Sequence, residues 1–179
     1  SAMKGGASDL FLYEVETGLV RRVTSTGFAK LQPSWSPDSR LIIYVTDQPL
    51  PDQMQRFRHD FYNIGIIDIG NPSDGRLLEL FTGARNMNPL FSPDGSSIYF
   101  LSDRDGFRNL YRYDVVADTL FQMTRYMRGI TGITHHSPAV SIARGTGDIV
   151  YSYYSERSYS VFSAGSDEFE ESPVSRQEL

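Results

Sequence analysis

The chain has 179 residues, of which 40% are hydrophobic and 22% are charged, and this composition is typical of one folded domain with a substantial core. Its formal net charge of −5 argues against a general nucleic-acid binder, which would need a basic face. No apolar run reaches the roughly 18 residues of a membrane-spanning helix, and the lack of cysteine excludes disulfides, thiolate metal sites and cysteine nucleophiles.

Residues 1–8 come before the first strand signal. Ser1-Ala2-Met3 is typical of a cloning remnant, and no signal peptide follows it. We therefore interpret residues 1–8 as a cloning remnant with an N-terminal linker, and we expect the chain to be a piece of a longer protein.

Three hairpins are predicted along the chain, at residues 9–24, 63–82 and 109–124. Each combines two runs of β-branched and aromatic residues around a tight turn. In each hairpin the first strand closes on an acidic residue and the second strand closes on a threonine. These closing pairs are Glu14 with Thr24, Asp68 with Thr82, and Asp114 with Thr124.

A phrase containing Ser-Pro-Asp lies between the hairpins. Residues 33–39 read Pro-Ser-Trp-Ser-Pro-Asp-Ser, residues 89–95 read Pro-Leu-Phe-Ser-Pro-Asp-Gly, and each leads into an apolar strand. The phrase predicts a tight turn, because proline presets φ and the aspartate can accept hydrogen bonds from nearby amides. A third copy begins at Pro138 but lacks the Ser-Pro-Asp turn. The predicted inner strand pairs are 31–46, 88–102 and 137–154, with a single strand at 158–162.

The copies recur after 56 residues (33 to 89) and after 49 residues (89 to 138), a spacing that indicates stacked repeat units. A minimal four-stranded blade takes roughly 40–45 residues, so both intervals contain extra chain. Residues 48–62 are a predicted insertion, because this connection takes sixteen steps where the one between Asp103 and Asn109 takes six. A second long connection begins at residue 125.

The whole repeat runs W/F-S-P-D-G/S, an apolar strand, S-D-R-D-G-x-x-N-L-Y-x-Y-D and a strand ending in threonine. This pattern resembles the WD40-like Pro-Asp repeat, which builds the β-propeller of TolB and related bacterial proteins. Residues 89–124 match it closely, 9–24 and 31–82 match well, and 137–163 match in part. The resemblance implies an all-β fold, a partial β-propeller of about three four-stranded antiparallel blades over residues 9–164.

Propellers of this kind occur as interaction domains and as accessory domains of peptidases. The resemblance therefore implies a non-catalytic protein-interaction or scaffolding module of a larger bacterial envelope protein, periplasmic or associated with the cell envelope. Two alternatives stay open. One is an accessory propeller of a serine peptidase whose catalytic domain lies outside this segment, and the other is a propeller that binds a glycan or a peptide.

About three blades fall short of the four to eight that closed propellers typically have. An open stack leaves apolar blade faces and sheet edges without partners. We therefore expect self-association through the open blade ends, unless further blades of a longer protein cover them. Residues 165–179 are rich in Ser and Glu and begin Gly-Ser-Asp-Glu, a composition that predicts an acidic, disordered linker.

No catalytic, cofactor or metal site is predicted. Asp103 and Asp105 have the spacing of calcium ligands but lack the remaining acidic ligands of a calcium loop, so a structural turn is favoured. His135 and His136 point to opposite sides of an extended segment, so both cannot readily bind one ion. No G-x-S-x-G elbow occurs in the sequence.

The two long connections hold the candidate partner-binding residues. Arginine and aromatic side chains are enriched in interface hot spots, and loops commonly carry function. The competing interpretation is that the aromatic residues of the insertion only cover a blade edge. The candidates are Arg56, Phe57, Arg58, His59, Phe61 and Tyr62 in the insertion, and Arg125, Tyr126 and Arg128 in the second connection.

Overall fold

The computed structural model describes residues 1–4, 7–51, 61–134 and 136–176. Within these ranges the secondary structure is sixteen β-strands and one 3-10 turn at Ser166–Glu168. The strands in chain order are β1 (Ala2–Lys4), β2 (Ala7–Asp9), β3 (Phe11–Tyr13), β4 (Val20–Arg22), β5 (Leu31–Trp35), β6 (Leu41–Thr46), β7 (Asn63–Asp68), β8 (Asn71–Leu78), β9 (Asn86–Phe91), β10 (Ser97–Ser102), β11 (Asn109–Asp114), β12 (Thr119–Gln122), β13 (Val140–Ile142), β14 (Ile149–Ser155), β15 (Ser158–Ala164) and β16 (Ser172–Val174).

The antiparallel strands form a series of stacked sheets. The first blade has the strand order β5-β6-β7-β8, and the second blade has the order β9-β10-β11-β12 with β16 added outside β12. The third blade contains β13-β14-β15, while β3-β4 and β1-β2 are separate two-stranded sheets. The predicted all-β partial propeller is confirmed. In the described residues, the first and second blades each contain four strands from their own repeat, and the third blade contains three strands.

Three apolar clusters lie between successive sheets. One joins β3-β4 to the first blade through Leu10, Val23, Ile42, Tyr44 and Ile67. The next joins the first two blades and includes Ile43, Ile64, Phe100 and Tyr111. The last joins the second and third blades and includes Leu101, Leu110, Ile130 and Ile149. Because side chains alternate across a strand, the second strand of each full blade supplies both neighbouring clusters and is buried almost throughout.

The first Pro-Asp phrase forms a hydrogen-bonded turn between β5 and β6. The Ser36 hydroxyl donates to Asp38 Oδ1 at 2.6 Å and accepts from the Leu41 amide at 2.8 Å. Asp38 Oδ1 also accepts from the Arg40 amide at 3.1 Å. The predicted turn is therefore present, and its aspartate bonds to both a side chain and a backbone amide.

The second Pro-Asp phrase repeats this network between β9 and β10. The Ser92 hydroxyl donates to Asp94 at 2.6 Å and accepts from the Ser97 amide at 2.9 Å, while the Ser96 amide donates to Asp94 at 3.0 Å. The hydrogen bonds from Ser92 and then Ser96 lower the pKa of Asp94 to about 2. Gly95 has a φ of 76°, which glycine adopts without steric cost.

The threonines that close the hairpins also make a repeated contact. Thr24 Oγ1 accepts from the Leu10 amide at 3.0 Å and donates to Asp9 at 2.8 Å. Thr124 Oγ1 accepts from the Leu110 amide at 2.9 Å and donates to Asn109 at 3.0 Å. Thr24 and Thr124, each two residues beyond the end of a strand, thus satisfy the buried amides of Leu10 and Leu110.

Both predicted terminal linkers contain paired strands. At the N-terminus, β1 pairs antiparallel with β2, which extends from residue 7 to Asp9, one residue beyond the predicted linker. Within residues 165–179, the acidic composition predicted disorder, but β16 pairs with β12. Composition misses this segment because its contacts are to a strand about 50 residues away in the sequence, where backbone pairing and two ion pairs hold it.

Replacing Ser92 with Ala is expected to lower the free energy of unfolding by about 1–3 kcal/mol, because the buried Ser97 amide loses its acceptor. Urea unfolding followed by circular dichroism measures the change. The matched control is Ser141→Ala, since Ser141 is exposed on the third blade. Equal midpoints for the two variants would contradict a stabilising role for the turn.

The low pKa of Asp94 predicts a pH dependence of stability. A carboxyl whose pKa is depressed on folding stabilises the native state above its unfolded pKa, and this contribution is lost as the pH falls towards about 2. The wild type should therefore lose more stability than Asp94→Asn between pH 5 and pH 2, as measured by urea unfolding at each pH. Parallel profiles for the two proteins would show that Asp94 contributes nothing.

Candidate functional site

One end of the stacked blades collects the long connections of the chain. Because neighbouring strands in each blade are antiparallel, the β6–β7, β10–β11 and β12–β13 connections leave from the same end. We call this end the loop face. The opposite end carries the Pro-Asp turns and is called the turn face.

The innermost strands of the first two blades carry matching β-bulges close to the loop face. Leu31 pairs with Val45 and Ser34 with Ile43, so Gln32 and Pro33 together face Tyr44. In the second blade, Asn88 and Pro89 together face Phe100 in the same way. Gln32 has a φ of 47° and Asn88 a φ of 50°. Such left-handed conformations are strained for residues other than glycine and are held by the surrounding structure.

The side chains of Gln32 and Asn88, whose backbones are strained, link three consecutive blades by hydrogen bonds. Gln32 Oε1 accepts from the Asn88 amide at 2.9 Å, and Asn88 Oδ1 accepts from the Ala139 amide at 3.3 Å. Gln32 Nε2 also donates to the His136 carbonyl oxygen at 2.9 Å. The first, second and third blades are therefore joined along their innermost strands by side chains, which fixes the relative position of the connections above them.

The end of the insertion and the end of the β12–β13 connection meet on the loop face. The rings of Tyr62 and His136 are 6.0 Å apart between centroids and nearly perpendicular, an edge-to-face arrangement. Tyr62 is half-buried and its backbone bonds to Ala84 and Asn86. Phe61, by contrast, is only 5% exposed, so this candidate packs inside the protein and is not presented to a partner.

The start of the β12–β13 connection is a tightly held projection. The Tyr126 amide donates to Asn109 at 2.8 Å, and the Tyr126 hydroxyl lies 2.8 Å from that of Tyr151. Gly129 has a φ of 72°, and a Cβ there would lie 2.9 Å from the Arg108 nitrogen. Tyr126 is therefore an anchor rather than an exposed contact.

Three side chains extend outwards from this projection. Arg125, Met127 and Arg128 are exposed, and Met127 is 74% exposed. Two of them are sequence-predicted candidates, and the third was not singled out. Arg56, Phe57, Arg58, His59 and His135 lie outside the described residues.

Asp103 and Asp105, which have the spacing of calcium ligands, accept hydrogen bonds that stabilise the fold. Asp103 accepts from the Arg85 amide at 2.7 Å, as Asp47 of the first blade accepts from the Ala29 amide at 2.8 Å. Asp105 accepts from the Gln122 side chain at 3.1 Å. In the described part of the chain, no three His, Cys, Asp or Glu residues group closely enough to hold a metal ion.

Lys30 is a buried cation just before β5, at the repeat position that Asn86, the first residue of β9, occupies in the second blade. Its ammonium donates to the Thr26 hydroxyl at 2.8 Å and to the Phe28 carbonyl at 3.1 Å. Burial lowers the pKa of this ammonium. Because its donors are used within the fold, Lys30 supports the entry of β5 rather than forming a site.

The turn face carries a groove of about 300 Å³ across the same three blades. Trp35, Phe91 and Ile142 line it from β5, β9 and β13, with Arg144 at its side. Each of these apolar residues directly precedes the turn of its repeat, and Phe91 and Ile142 also pack against the clusters between blades. The loop face is the better candidate because its contacts differ from blade to blade.

Sequence reasoning missed Gln32 and Asn88, although a signal was present. Each is an amide residue directly before the proline that opens a repeat phrase. Their recurrence at one repeat position could have marked them as structurally special. Their hydrogen-bond partners could not be inferred, because these belong to other blades.

The fold of the chain is similar to that of three solved structures. A protein assigned as TolB from Agrobacterium tumefaciens aligns with a TM-score of 0.69 and 21% identity, over 95% of this chain and 57% of that one. TolB from Acinetobacter baumannii aligns with a TM-score of 0.64 and 17% identity, over 96% and 38%. Puromycin hydrolase aligns with a TM-score of 0.59 and 16% identity, over 87% and 23%. These likenesses confirm the TolB-type β-propeller fold.

The chain therefore spans little more than half the length of the Agrobacterium protein, at 57%, and less of the other two. No known protein-family model matches the sequence. Across the described residues, no helix combines the length and the apolar character needed to cross a bilayer.

Asn88→Ala is expected to lower the free energy of unfolding by about 1–3 kcal/mol, because alanine loses the bond to the Ala139 amide and tolerates a positive φ poorly. Asn88→Gly separates the two effects, since glycine removes the bond but relieves the strain. The glycine variant should therefore unfold at a urea concentration between those of the alanine variant and the wild type. A glycine variant as unstable as the alanine variant would rule out strain at this position.

Proposed function

We propose that this chain is a non-catalytic protein-binding propeller segment that presents its loop face to a protein partner. The observation that carries the proposal is the junction of Gln32, Tyr62 and His136. This junction brings the ends of two long connections together, although they are far apart in the sequence. A composite surface of this kind is what a scaffold needs in order to display residues from different repeats to one partner.

The rigidity of the projection at the start of the β12–β13 connection supports the proposal. Tyr126 and Gly129 hold the projection against the second and third blades, so Arg125, Met127 and Arg128 extend from a fixed base. Exposed arginine and methionine side chains are enriched at protein interfaces. A partner therefore gains contacts without ordering this part of the surface.

The charge of the projection suggests the character of the partner. Arg125 and Arg128 are basic, whereas the whole chain has a net charge of −5. The insertion adds no net charge in sequence, because Arg56 and Arg58 are balanced by Asp52 and Asp60. A partner with an acidic patch would be attracted to this end of the molecule.

We place this function in a larger bacterial envelope protein. The similarity to TolB structures and the Pro-Asp repeats support this setting, and the partial coverage of the TolB chains fits a segment of a longer protein. The proposal gives the segment no catalytic role and no cofactor.

Self-association or additional blades would complete the stack. Tyr13 is 63% exposed and Val20 64% exposed on β3-β4, while Tyr159 is 45% and Val161 72% exposed on β15. At the internal junctions of this protein, aromatic and aliphatic side chains of this kind pack against the neighbouring blade. We propose that the two open ends bury one another between copies when the segment is isolated.

An accessory propeller of a peptidase is the second candidate. The alignment with puromycin hydrolase, at a TM-score of 0.59, supports this second candidate. Hydrolysis of peptide substrates by the full-length protein, but not by this segment alone, would favour the peptidase. Absence of hydrolysis by both would favour the binding segment.

The loop face can be tested by capture of partners from an envelope extract. Two variants alter it while keeping the buried anchors, namely Arg125→Glu with Arg128→Glu, and replacement of residues 52–60 by a Gly-Ser linker of equal length. Both are expected to lose the same captured protein, identified by mass spectrometry, because each removes part of one composite surface.

The matched control reverses the charge of two exposed arginines that lie away from the loop face, Arg76→Glu with Arg144→Glu. It has the same change in net charge and should retain the captured protein. Retention by all three variants, with unchanged circular dichroism, would show that the loop face does not bind the partner.

Self-association has its own measurement. Light scattering at increasing protein concentration is expected to give a mass above that of one 20.2 kDa chain. Val161→Glu should return the mass towards that of the monomer, because a charge cannot be buried between blade faces at low cost. A monomeric mass for the wild type at high concentration would contradict pairing of the open ends.

A further inference from the structure

The C-terminal segment crosses from the third blade to the outer edge of the second blade. Ser172–Val174 pair antiparallel with β12, with Leu120 opposite Val174 and Gln122 opposite Ser172. Without β16, the outermost strand of the second blade would be an open edge. Open edges bind extended chains by adding a strand, a recurring mode of peptide recognition.

A bidentate ion pair fixes one end of the added strand. Arg112 Nε and one of its terminal nitrogens each lie 2.6 Å from a different Glu171 carboxylate oxygen. The Arg112 guanidinium also lies over the Phe121 ring, 4.4 Å from its centroid. Arg112 also donates to the Ser97 hydroxyl at 3.2 Å and to Asp114 at 3.5 Å, so residues of its own blade help to hold the guanidinium in place.

A second ion pair fixes the other end. Both terminal nitrogens of Arg176 reach the Asp118 carboxylate, and Arg176 Nε donates to the Glu79 carbonyl at 2.6 Å. The Tyr113 hydroxyl donates to the same carboxylate at 2.7 Å, which positions Asp118 to receive the guanidinium. The site thus has a basic end at Arg112 and an acidic end at Asp118.

Two apolar side chains of the segment complete the match. Val174 packs against the cluster between the first and second blades, and Phe169 packs against the cluster between the second and third blades. Arg104 donates to the Ser175 carbonyl at 3.0 Å. The segment is therefore recognised by two charges, two apolar anchors and its backbone.

We propose that the outer edge of the second blade is a strand-addition site for an extended protein segment with the pattern Phe-x-Glu-x-x-Val-x-Arg. In this chain its own residues 169–176 occupy the site and cover it. Residues 169–176 of a second copy of the chain would dock there when these residues leave. This site lies on the outer edge of a blade, so it is separate from the loop face and does not depend on the function proposed for that face.

The covering segment has the features of a removable occupant. Its strand is only three residues long, and the Asp118 side chain at one end is 64% exposed. The ion pair between Arg176 and Asp118 is therefore a surface pair, which contributes little in water and weakens with salt. The polar, acidic residues 165–168 connect it to the third blade, so release does not require a blade to unfold.

The experiment uses the full chain with a site-specific protease sequence inserted between Gly165 and Ser166. The protein folds with its own segment in place, and cleavage afterwards removes the covalent link that favours rebinding in cis. The probe is a fluorescein-labelled synthetic peptide of residues 167–176, and binding is measured by fluorescence anisotropy. Saturable binding with a Kd below about 1 mM is expected after cleavage and dialysis, and much weaker binding before it.

Charge reversal tests whether the ion pairs specify the occupant. Arg112→Glu in the protein, or Glu171→Arg in the peptide, should each weaken binding about tenfold or more. Combining the two should restore most of the affinity, which a merely structural role of Arg112 would not do. Arg144→Glu is the matched control, because Arg144 lies on the turn face and should leave the affinity unchanged.

Two results would overturn the proposal. One is absence of peptide binding to the cleaved protein at about 1 mM while circular dichroism remains that of the uncleaved protein. The other is equal binding of the native and charge-reversed peptides, which would indicate nonspecific association. Neither result would bear on partner capture by the loop face, which is measured with the uncleaved chain.

Discussion

The strands β6 and β10 lose contact with water on both faces of their sheets. A blade containing such a strand is stable only when another sheet packs on each side, because exposing either apolar face would forfeit its hydrophobic stabilisation. This constraint accounts for the three apolar clusters between sheets. It also accounts for the open ends, since β3-β4 and β15 carry exposed aromatic and aliphatic side chains where the stack stops.

Stacking gives the chain a repeated frame, and polar contacts between repeats make its surfaces differ. Gln32 and Asn88 occupy the same bulge in successive blades, yet one reaches His136 and the other reaches Ala139. The strain of a positive φ at both positions is compensated by these bonds. Equivalent backbone geometry thus supports a loop face whose side chains come from unrelated parts of the sequence.

Much of the fold could be predicted because its signals are local. Ser36 and Asp38, like Ser92 and Asp94, lie two residues apart and bond within one turn, so a short phrase specifies the same structure twice. The candidate site was predicted less well. Phe61 looked like a contact residue in the sequence but is buried, and Tyr126 is an anchor, because burial depends on which blade lies above a side chain.

The sequence by itself determined the repeat, the Pro-Asp turns, the all-β class and the shortage of blades, since each follows from residue types at short spacing. Only the tertiary structure decided which loops meet and where the C-terminal segment lies. Glu171 and Arg112 are 59 residues apart in the chain, and their ion pair exists because blade stacking brings the third blade beside the second. Contacts of this range depend on the summed packing of whole sheets, which no local pattern of residues encodes.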